Sequence, residues 1–269
     1  MSSRKDPSPP PTRRARRAAE RARATPAVRR PPGSTKRGGS PIVWITALVA
    51  IVAVVLIGAV VLLQGGRSSA VDTAGLIAPI APTPLALADG RSLGKADAPV
   101  TLEVWSDFQC PVCGQFAETV EPALVRDYVT PGTLKIVDHD AAFQGARSSS
   151  PYDESVEAGA GARCAADQGR YWPFHDWVFA NQSGENEGGF ADARLRAIAA
   201  AARLDLTAWD ACRATGQQQA AVRAETAQAV SKGVNGTPTM YLNGQTILGL
   251  HSAADLGKMI EAAAAAAAK

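Results

Sequence analysis

The fold of this chain is decided by residues 100–113, VTLEVWSDFQCPVC. The first part, Val100 to Trp105, is an apolar, β-prone run typical of a buried strand. Pro111 suits the first turn of a helix, because the N–H that proline lacks has no partner there. The stretch therefore predicts a strand that delivers Cys110 to the first turn of a helix.

Cys110 and Cys113 form a Cys-x-x-Cys pair at this helix start. A helix N-terminus carries roughly +0.5 of an elementary charge and unpaired N–H groups, and both favour a thiolate, the reactive form of cysteine. We interpret the pair as redox-active. A zinc site would need two more ligands at close spacing, whereas Cys164 and Cys212 lie far along the chain. An inert structural pair stays open as an alternative.

The sequence from residue 85 onward predicts an α/β order of elements with a helical insertion. Apolar residues recur along residues 116–128 with helical spacing. A strand–helix–strand unit of this kind implies a right-handed crossover and a parallel strand pair. Residues 151–233 are rich in Ala, Arg, Gln and Glu and predict the insertion. The predicted strands are 85–93 (with a turn at Asp89-Gly90), 101–106, 133–137, 239–242 and 246–250. Asn243-Gly244 predicts a hairpin turn between the last two. The predicted helices are 111–128, 152–168, 172–181, 190–202, 207–214, 216–232 and 253–268, and Ser252 is expected to cap the last of them.

The N-terminal region predicts a membrane anchor. Residues 1–40 hold twelve Lys and Arg against two acids, so this part carries +10 and residues 41–269 carry −7. Residues 1–41 predict a disordered tail, and residues 42–63 hold 22 uncharged residues, enough for one transmembrane helix. Cationic flanks stay cytoplasmic, which places the tail inside and the domain at 85–269 outside, beyond a flexible linker at 64–84. A cleaved signal peptide ending near Ser68-Ser69-Ala70 is the rival interpretation. We expect no nucleic-acid role for the tail.

Three segments make the chain resemble the DsbA-like branch of the thioredoxin superfamily, in its membrane-anchored, exported bacterial form. They are residues 106–113 (SDFQCPVC), residues 233–239 (GVNGTPT) and residues 164–179, which begin with CAADQG and end in an aromatic-rich helix. The resemblance covers residues 85–269. It implies a thioredoxin-like fold with a helical insertion.

The resemblance also implies roles for individual residues. Cys110 corresponds to the nucleophile, which forms a mixed disulfide with a client, and Cys113 to the resolving cysteine. Pro111 and Val112 lie between them. Pro238 matches a cis-proline that faces the active disulfide, and Thr237 before it offers backbone contacts to an extended client peptide.

One position departs from the family pattern. Relatives often place a buried acid six residues before the first cysteine, where this chain has Val104. Glu103 is one residue earlier, and strand alternation turns it to the opposite face. A carboxylate proton acceptor beneath the site is therefore in doubt. The Pro-Val dipeptide lacks the histidine of the most oxidising relatives, which weakens any claim of an extreme potential.

The remaining cysteines and histidines receive structural interpretations. In an oxidising compartment, Cys164 and Cys212 predict a disulfide between two helices of the insertion; a second redox pair and two free thiols are the alternatives. We expect no metal at His139, because the acids that flank it point to the other face of its strand. His175 is expected to pack within the aromatic-rich helix. The aromatic side chains of that helix are expected to form part of the core rather than a client groove. His251 receives no role.

The predicted function is exported thiol–disulfide exchange, specifically the oxidation of cysteines in newly secreted proteins. Such a cycle implies client proteins with free cysteines and a membrane reoxidant of the DsbB or vitamin K epoxide reductase type as partners. No cofactor beyond the Cys110–Cys113 disulfide is required. A reductase or isomerase on the same fold, and a client-binding chaperone module without turnover, are the alternatives.

Overall fold

The computed structural model describes residues 48–49, 51–52, 71–147, 150–247 and 249–268. The predicted tail, the linker up to residue 70 and all but four residues of the predicted transmembrane segment lie outside these ranges. Among the residues described, no helix has both the length and the apolar character needed to cross a bilayer.

Six strands form one mixed sheet in the order β1-β2-β4-β3-β5-β6. The strands are β1 (Ala88–Asp89), β2 (Ser92–Leu93), β3 (Val100–Ser106), β4 (Leu134–Asp140), β5 (Thr239–Leu242) and β6 (Gln245–Ile247). The central pair β3–β4 is parallel, which confirms the predicted strand–helix–strand unit. Strand β5 runs antiparallel to β3 on the other side, so the stretch that decided the fold lies at the centre of the sheet.

Helix α1 spans residues 111–129 and links β3 to β4. It alternates α-helical segments (Pro111–Gln115 and Glu121–Leu124) with wider π-helical segments (Phe116–Val120 and Val125–Val129). Phe116, Val120 and Leu124 are buried, as predicted. Glu121 is also buried; it lies three residues before Leu124, on the same helical face, and its charge gives no sign of burial in the sequence.

The predicted insertion is present as five helices. They are α2 (Glu154–Ala166), α3 (Tyr171–Phe179), α4 (Asp192–Ala201), α5 (Leu206–Ala214) and α6 (Gln217–Ser231). Side-chain caps begin two of them, because Asp153 accepts from Val156 N–H and Asp205 from the Thr207 and Ala208 N–H groups. Most of the aromatic cluster of α3 is core, with Trp172 and Phe174 fully buried.

The C-terminal elements form as predicted, except for one strand end. Asn243 and Gly244 both have positive φ and connect β5 to β6, and the Ser252 hydroxyl accepts from Asp255 N–H at the start of α7 (Ala253–Ala267). The strand predicted for 246–250 is too long. Strand β6 ends at Ile247, and Gly249 has a left-handed φ of 78° that no continuing strand adopts.

Two further corrections concern the segment before β3. The strand predicted for 85–93 is a 3-10 turn (Leu85–Leu87) followed by the short hairpin β1–β2, in which Gly90 has a positive φ. The flexible linker predicted up to residue 84 ends earlier. Ile77 exchanges two hydrogen bonds with the Asn181 side chain, and Thr83 donates two to Asp176. We call residues 77–83 the N-terminal strap; it is fastened to α3 and the residues that follow it.

Candidate active site

Strand β3 ends at Ser106, and a short loop carries the chain to Cys110, the N-cap of α1. Cys110 has extended backbone angles (φ −72°, ψ 120°), and Pro111 occupies the first helical position. Cys110 and Cys113 are free thiols, 4% and 1% exposed. Val112 between them is 41% exposed. The two cysteines are therefore buried just below the protein surface, and Val112 between them is exposed on it.

The two thiols have opposite acidities. The pKa of Cys110 is lowered to about 6, mainly because the Cys113 thiol hydrogen-bonds to its sulfur, with help from the N–H groups of Val112 and Cys113. Burial and the neighbouring Cys110 raise the pKa of Cys113 well above its usual value. Near neutral pH one sulfur is thus a thiolate and the other a thiol that stabilises it.

The loop before β5 forms the wall opposite Cys110. The Thr237–Pro238 peptide bond is cis, as the resemblance implies, and Pro238 is buried. Cys110 Sγ lies 3.3 Å from the Thr237 carbonyl oxygen, which accepts a hydrogen bond from Cys110 when its sulfur is protonated. Thr239 fixes the loop from within, because its hydroxyl donates to the Gly236 carbonyl. Of the predicted neighbours of the pair, Pro111 and Val112 follow Cys110 in the first turn of α1, and Thr237 faces its sulfur through the carbonyl oxygen.

A buried carboxylate that the sequence analysis did not single out lies in the active-site loop. Asp107 is 2% exposed, and its two oxygens accept the backbone N–H groups of Gln109 and Gln144, each at 2.8 Å. Burial raises the pKa of Asp107 to about 6 despite these hydrogen bonds. The position of Asp107 next to the cysteine motif was visible in the sequence, but its tertiary contact with Gln144, 37 residues further along the chain, was not.

The insertion holds the active-site loop through side-chain amides. Gln182, just after α3, donates to the carbonyls of Phe108 and Cys110 at 2.6 and 3.0 Å. The Gln109 side chain is buried, donates to the Ser155 hydroxyl and accepts from the Asn186 N–H. Three consecutive residues before Pro111 are thus anchored to the helical part of the molecule.

The acid missing at position 104 has a neighbour on the next strand. Val104 is buried and stands in register with Asp138 of the parallel strand β4, so the two side chains point to the same face of the sheet. Asp138 is 4% exposed and accepts a hydrogen bond from the Tyr171 hydroxyl. Burial raises its pKa. Position 104 therefore lacks the acid found in relatives, but a buried acid, Asp138, stands beside it on the neighbouring strand.

Glu121, His175 and Asp176 form a buried charged cluster between α1 and α3. Burial raises the pKa of Glu121 to about 8, against the attraction of His175. Burial acts to lower the pKa of His175, but the surrounding acids raise it to about 9. Their ligand atoms lie within 4.8 Å of one another, close enough for a metal ion, yet Asp176 already accepts from Thr83 and contacts His175 at 3.1 Å. His175 is thus an ion-pairing residue as well as a packing one.

Away from the cysteine pair, covalent and ionic links hold the insertion together. Cys164 of α2 and Cys212 of α5 form a disulfide with an S–S distance of 2.02 Å. Glu225 of α6 accepts from Arg91, Arg163 and His139. Although burial acts to raise it, these partners hold the pKa of Glu225 well below its usual range. The His139 ring thus contacts the Glu225 carboxylate of α6, while its backbone N–H donates to the flanking Asp138.

The fold and the asymmetric cysteine pair define a class, the thioredoxin-fold proteins of thiol–disulfide chemistry, and comparison with known proteins agrees. The Thioredoxin family model matches residues 87–262. The chain is 29% identical over 157 residues to the probable disulfide bond formation protein D of Bacillus anthracis, covering 57% of this chain and 70% of that protein.

Two solved structures share the architecture. Oxidised BdbD from Bacillus subtilis superposes with a TM-score of 0.57 at 21% identity, covering 70% of this chain and all of that one. Oxidised DsbA from Mycobacterium tuberculosis gives 0.54 at 26% identity, covering 66% of this chain and all of that one. The chain therefore belongs to the Thioredoxin family. Within that family it is a DsbA-like thiol:disulfide oxidoreductase.

Proposed function

We propose that this protein oxidises cysteine pairs of exported proteins, with Cys110 as the nucleophile and Cys113 as the resolving cysteine. The observation that carries the proposal is the opposite acidity of the two sulfurs, with the pKa of Cys110 lowered to about 6 and that of Cys113 raised. A low pKa stabilises the reduced form, which makes the corresponding disulfide an oxidant. The name of the Bacillus anthracis relative, a probable disulfide bond formation protein, supports the same direction.

In the oxidising half-cycle, a client thiolate attacks Cys110 Sγ of the Cys110–Cys113 disulfide. The S–S bond breaks, and Cys113 leaves and takes up a proton, which its raised pKa favours. The second client thiolate then attacks the client sulfur of the mixed disulfide. Cys110 leaves as the stabilised thiolate. The client loses two electrons and two protons; the cysteine pair gains the two electrons, Cys113 keeps one proton, the other goes to solvent, and no diffusible cofactor takes part.

The wall at Thr237–Pro238 supplies a place for an extended client chain beside Cys110. The Thr237 carbonyl faces the Cys110 sulfur at 3.3 Å, so a client cysteine that reaches this sulfur must pass along the loop. We assign Thr237 and Pro238 to client positioning. Exposed Val112 contributes apolar surface on the other side of the sulfur.

The partners and location extend the proposal. We propose that residues 42–63 anchor the protein in the membrane with residues 1–41 in the cytoplasm and the domain from residue 85 outside. Regeneration of the disulfide then requires a membrane oxidant of the DsbB or vitamin K epoxide reductase type. Protease protection of residues 1–41 in intact cells, with the domain digested, tests the topology; a tail that is digested first, or a mature chain lacking residues 42–63, refutes it.

The equilibrium of the Cys110–Cys113 pair with glutathione tests the direction of electron flow. An oxidase is expected to have a potential clearly above that of thioredoxin, about −270 mV. A value at or below the thioredoxin potential supports a reductase on the same fold and refutes the oxidase. Replacing Cys110 with Ser is expected to abolish oxidation of a reduced client peptide, and unchanged activity would instead indicate a chaperone module without turnover.

A further inference from the structure

The side-chain amide of Gln182 reaches the loop that presents Cys110, although Gln182 belongs to the insertion. Its Nε2 donates to Phe108 O at 2.6 Å and to Cys110 O at 3.0 Å. An amide nitrogen has two N–H donors, so both are used on this loop. The carbonyl oxygen of Cys110 also accepts the first hydrogen bond of α1, from Gly114 N–H at 3.1 Å.

Gly114 provides the space that the amide occupies. A Cβ at position 114 would lie 2.3 Å from Gln182 Oε1 and 2.9 Å from its Cδ, well inside contact distance. Gly114 lies inside α1, and it is not among the described residues with positive φ. Its backbone conformation therefore does not require glycine. Glycine at position 114 is therefore what leaves room for the Gln182 side-chain amide.

The neighbouring residue is held from the same side of the molecule. Gln109, between the two carbonyls that Gln182 binds, accepts Asn186 N–H at 2.6 Å and donates to Ser155 Oγ at 2.8 Å. Gln182 and Asn186 belong to the same connection between α3 and α4. The backbone on both sides of residue 109 is therefore fixed by one segment of the insertion.

We propose that Gln182 is a positioning residue for thiol–disulfide exchange: by holding the Phe108 and Cys110 carbonyls against the space left by Gly114, it sets the N-terminus of α1 that stabilises the Cys110 thiolate. The physical link is the peptide geometry. With the Cys110 carbonyl fixed, the first turn of α1 stays in place beside Cys110, its N-cap, and the positive end of a helix favours the charged form of a cysteine. This role rests on the proposed function of Cys110 as the nucleophile.

The test replaces Gln182 with Met, which keeps the length of the side chain but removes both donors. The measured quantity is the pH midpoint of Cys110 ionisation, followed by absorbance at 240 nm and by iodoacetamide trapping in the full chain. Losing hydrogen bonds of ordinary strength is expected to raise this midpoint by about half a unit to one unit, roughly 3- to 10-fold in the ionisation constant. A merely structural role would leave the midpoint unchanged.

Gln168→Met is the matched control. Gln168 also binds backbone groups through both ends of its amide, donating to Asp205 O at 3.1 Å and accepting from Asp205 N–H at 2.8 Å, but it does so elsewhere in the insertion. This variant is expected to keep the wild-type midpoint. An equal shift in both variants would assign the effect to general loosening of the insertion and overturn the inference.

Gly114→Ala keeps Gln182 but displaces its amide, so it is expected to raise the midpoint as Gln182→Met does. Alanine favours a helix more than glycine does, so this variant tests the idea even where Gln182→Met fails to fold. A wild-type midpoint in folded Gly114→Ala, or in folded Gln182→Met, overturns the inference. Glutathione exchange by the wild type separates the two ideas: no exchange refutes the proposed function, whereas exchange with an unshifted variant refutes the role of Gln182 alone.

Discussion

The acidity of Cys110 is expected to depend on a donor at position 113, and replacing Cys113 tests this directly. The first cause of the lowered pKa is the hydrogen bond from the Cys113 thiol. Cys113→Ala removes this donor, whereas Cys113→Ser replaces it with a hydroxyl. The backbone N–H groups of Val112 and residue 113 remain in both variants, so part of the shift is expected to survive.

The size of the effect follows from the pKa values. A pKa of about 6 makes Cys110 roughly nine-tenths thiolate at pH 7, against about 1% at the ordinary value of 9.0. At pH 7 this difference stabilises the reduced form by about 1–2 kcal/mol, or roughly 30 mV in potential. A hydrogen bond to a charged group contributes about 1.5–3 kcal/mol, so Cys113→Ala is expected to move the pKa up by about one to two units, to about 7–8.

The assay is the pH profile of thiolate absorbance at 240 nm, with Cys110 as the free thiol. The midpoint is the quantity to compare, because a more basic thiolate is also intrinsically more nucleophilic and rates at one pH would mask the shift. Cys113→Ser is expected to keep a midpoint near 6. A midpoint near 6 in Cys113→Ala as well would refute the reasoning, since the helix end alone would then account for the acidity.

Three further predictions concern stability. Replacing Cys164 and Cys212 with Ala opens a closure of 48 residues and is expected to cost about 4 kcal/mol in urea unfolding, with the Cys110 midpoint unchanged. Glu121 has its folded pKa raised to about 8, so its contribution to stability is complete below about pH 4.5 and is lost as pH rises toward 8; Glu121→Gln is expected to flatten the pH dependence of unfolding over this range. Glu225→Gln leaves two partly buried arginines without a charged partner at this position and is expected to destabilise by about 1–3 kcal/mol.

Each of these outcomes has a contrary result. A loss below about 1 kcal/mol without the disulfide would mean that the unfolded chain is already compact in this region. An unchanged pH slope in Glu121→Gln would show that Glu121 is ionised in the folded protein at neutral pH. Wild-type stability in Glu225→Gln would indicate that Asp140, which also accepts from both arginines, is sufficient.

The order of elements could be predicted because each signal was local. Three of these signals act within a few residues: the apolar, β-prone run of β3, the proline at the start of α1 and the Asn243-Gly244 turn. All three elements appear in the structure. The failures lie where tertiary contacts decide. The N-terminal strap lies against α3 because of hydrogen bonds more than ninety residues away in sequence, which composition cannot reveal.

The cysteine pair was predictable for the same reason, whereas its surroundings were not. Asp107 and Gln182 look like ordinary polar residues in the sequence. Asp107 is buried and accepts from Gln144 N–H, 37 residues away, and Gln182 binds two carbonyls more than seventy residues away, so the importance of both depends on tertiary contacts. Glu121 escaped notice because a carboxylate is not expected on a buried helix face, although it lies three residues before Leu124 and seven before Tyr128 on the apolar stripe.

Asn181 and Gln182 are consecutive, and each holds a different part of the molecule. Asn181 binds both backbone groups of Ile77 in the N-terminal strap, and Gln182 binds the carbonyl of Cys110. Two consecutive residues thus contact the strap on one side and the active-site loop on the other, while Thr83 gives the strap a second attachment at Asp176. Two neighbouring amides therefore serve different ends, since a substitution at Asn181 acts on the strap and a substitution at Gln182 acts on the active-site loop.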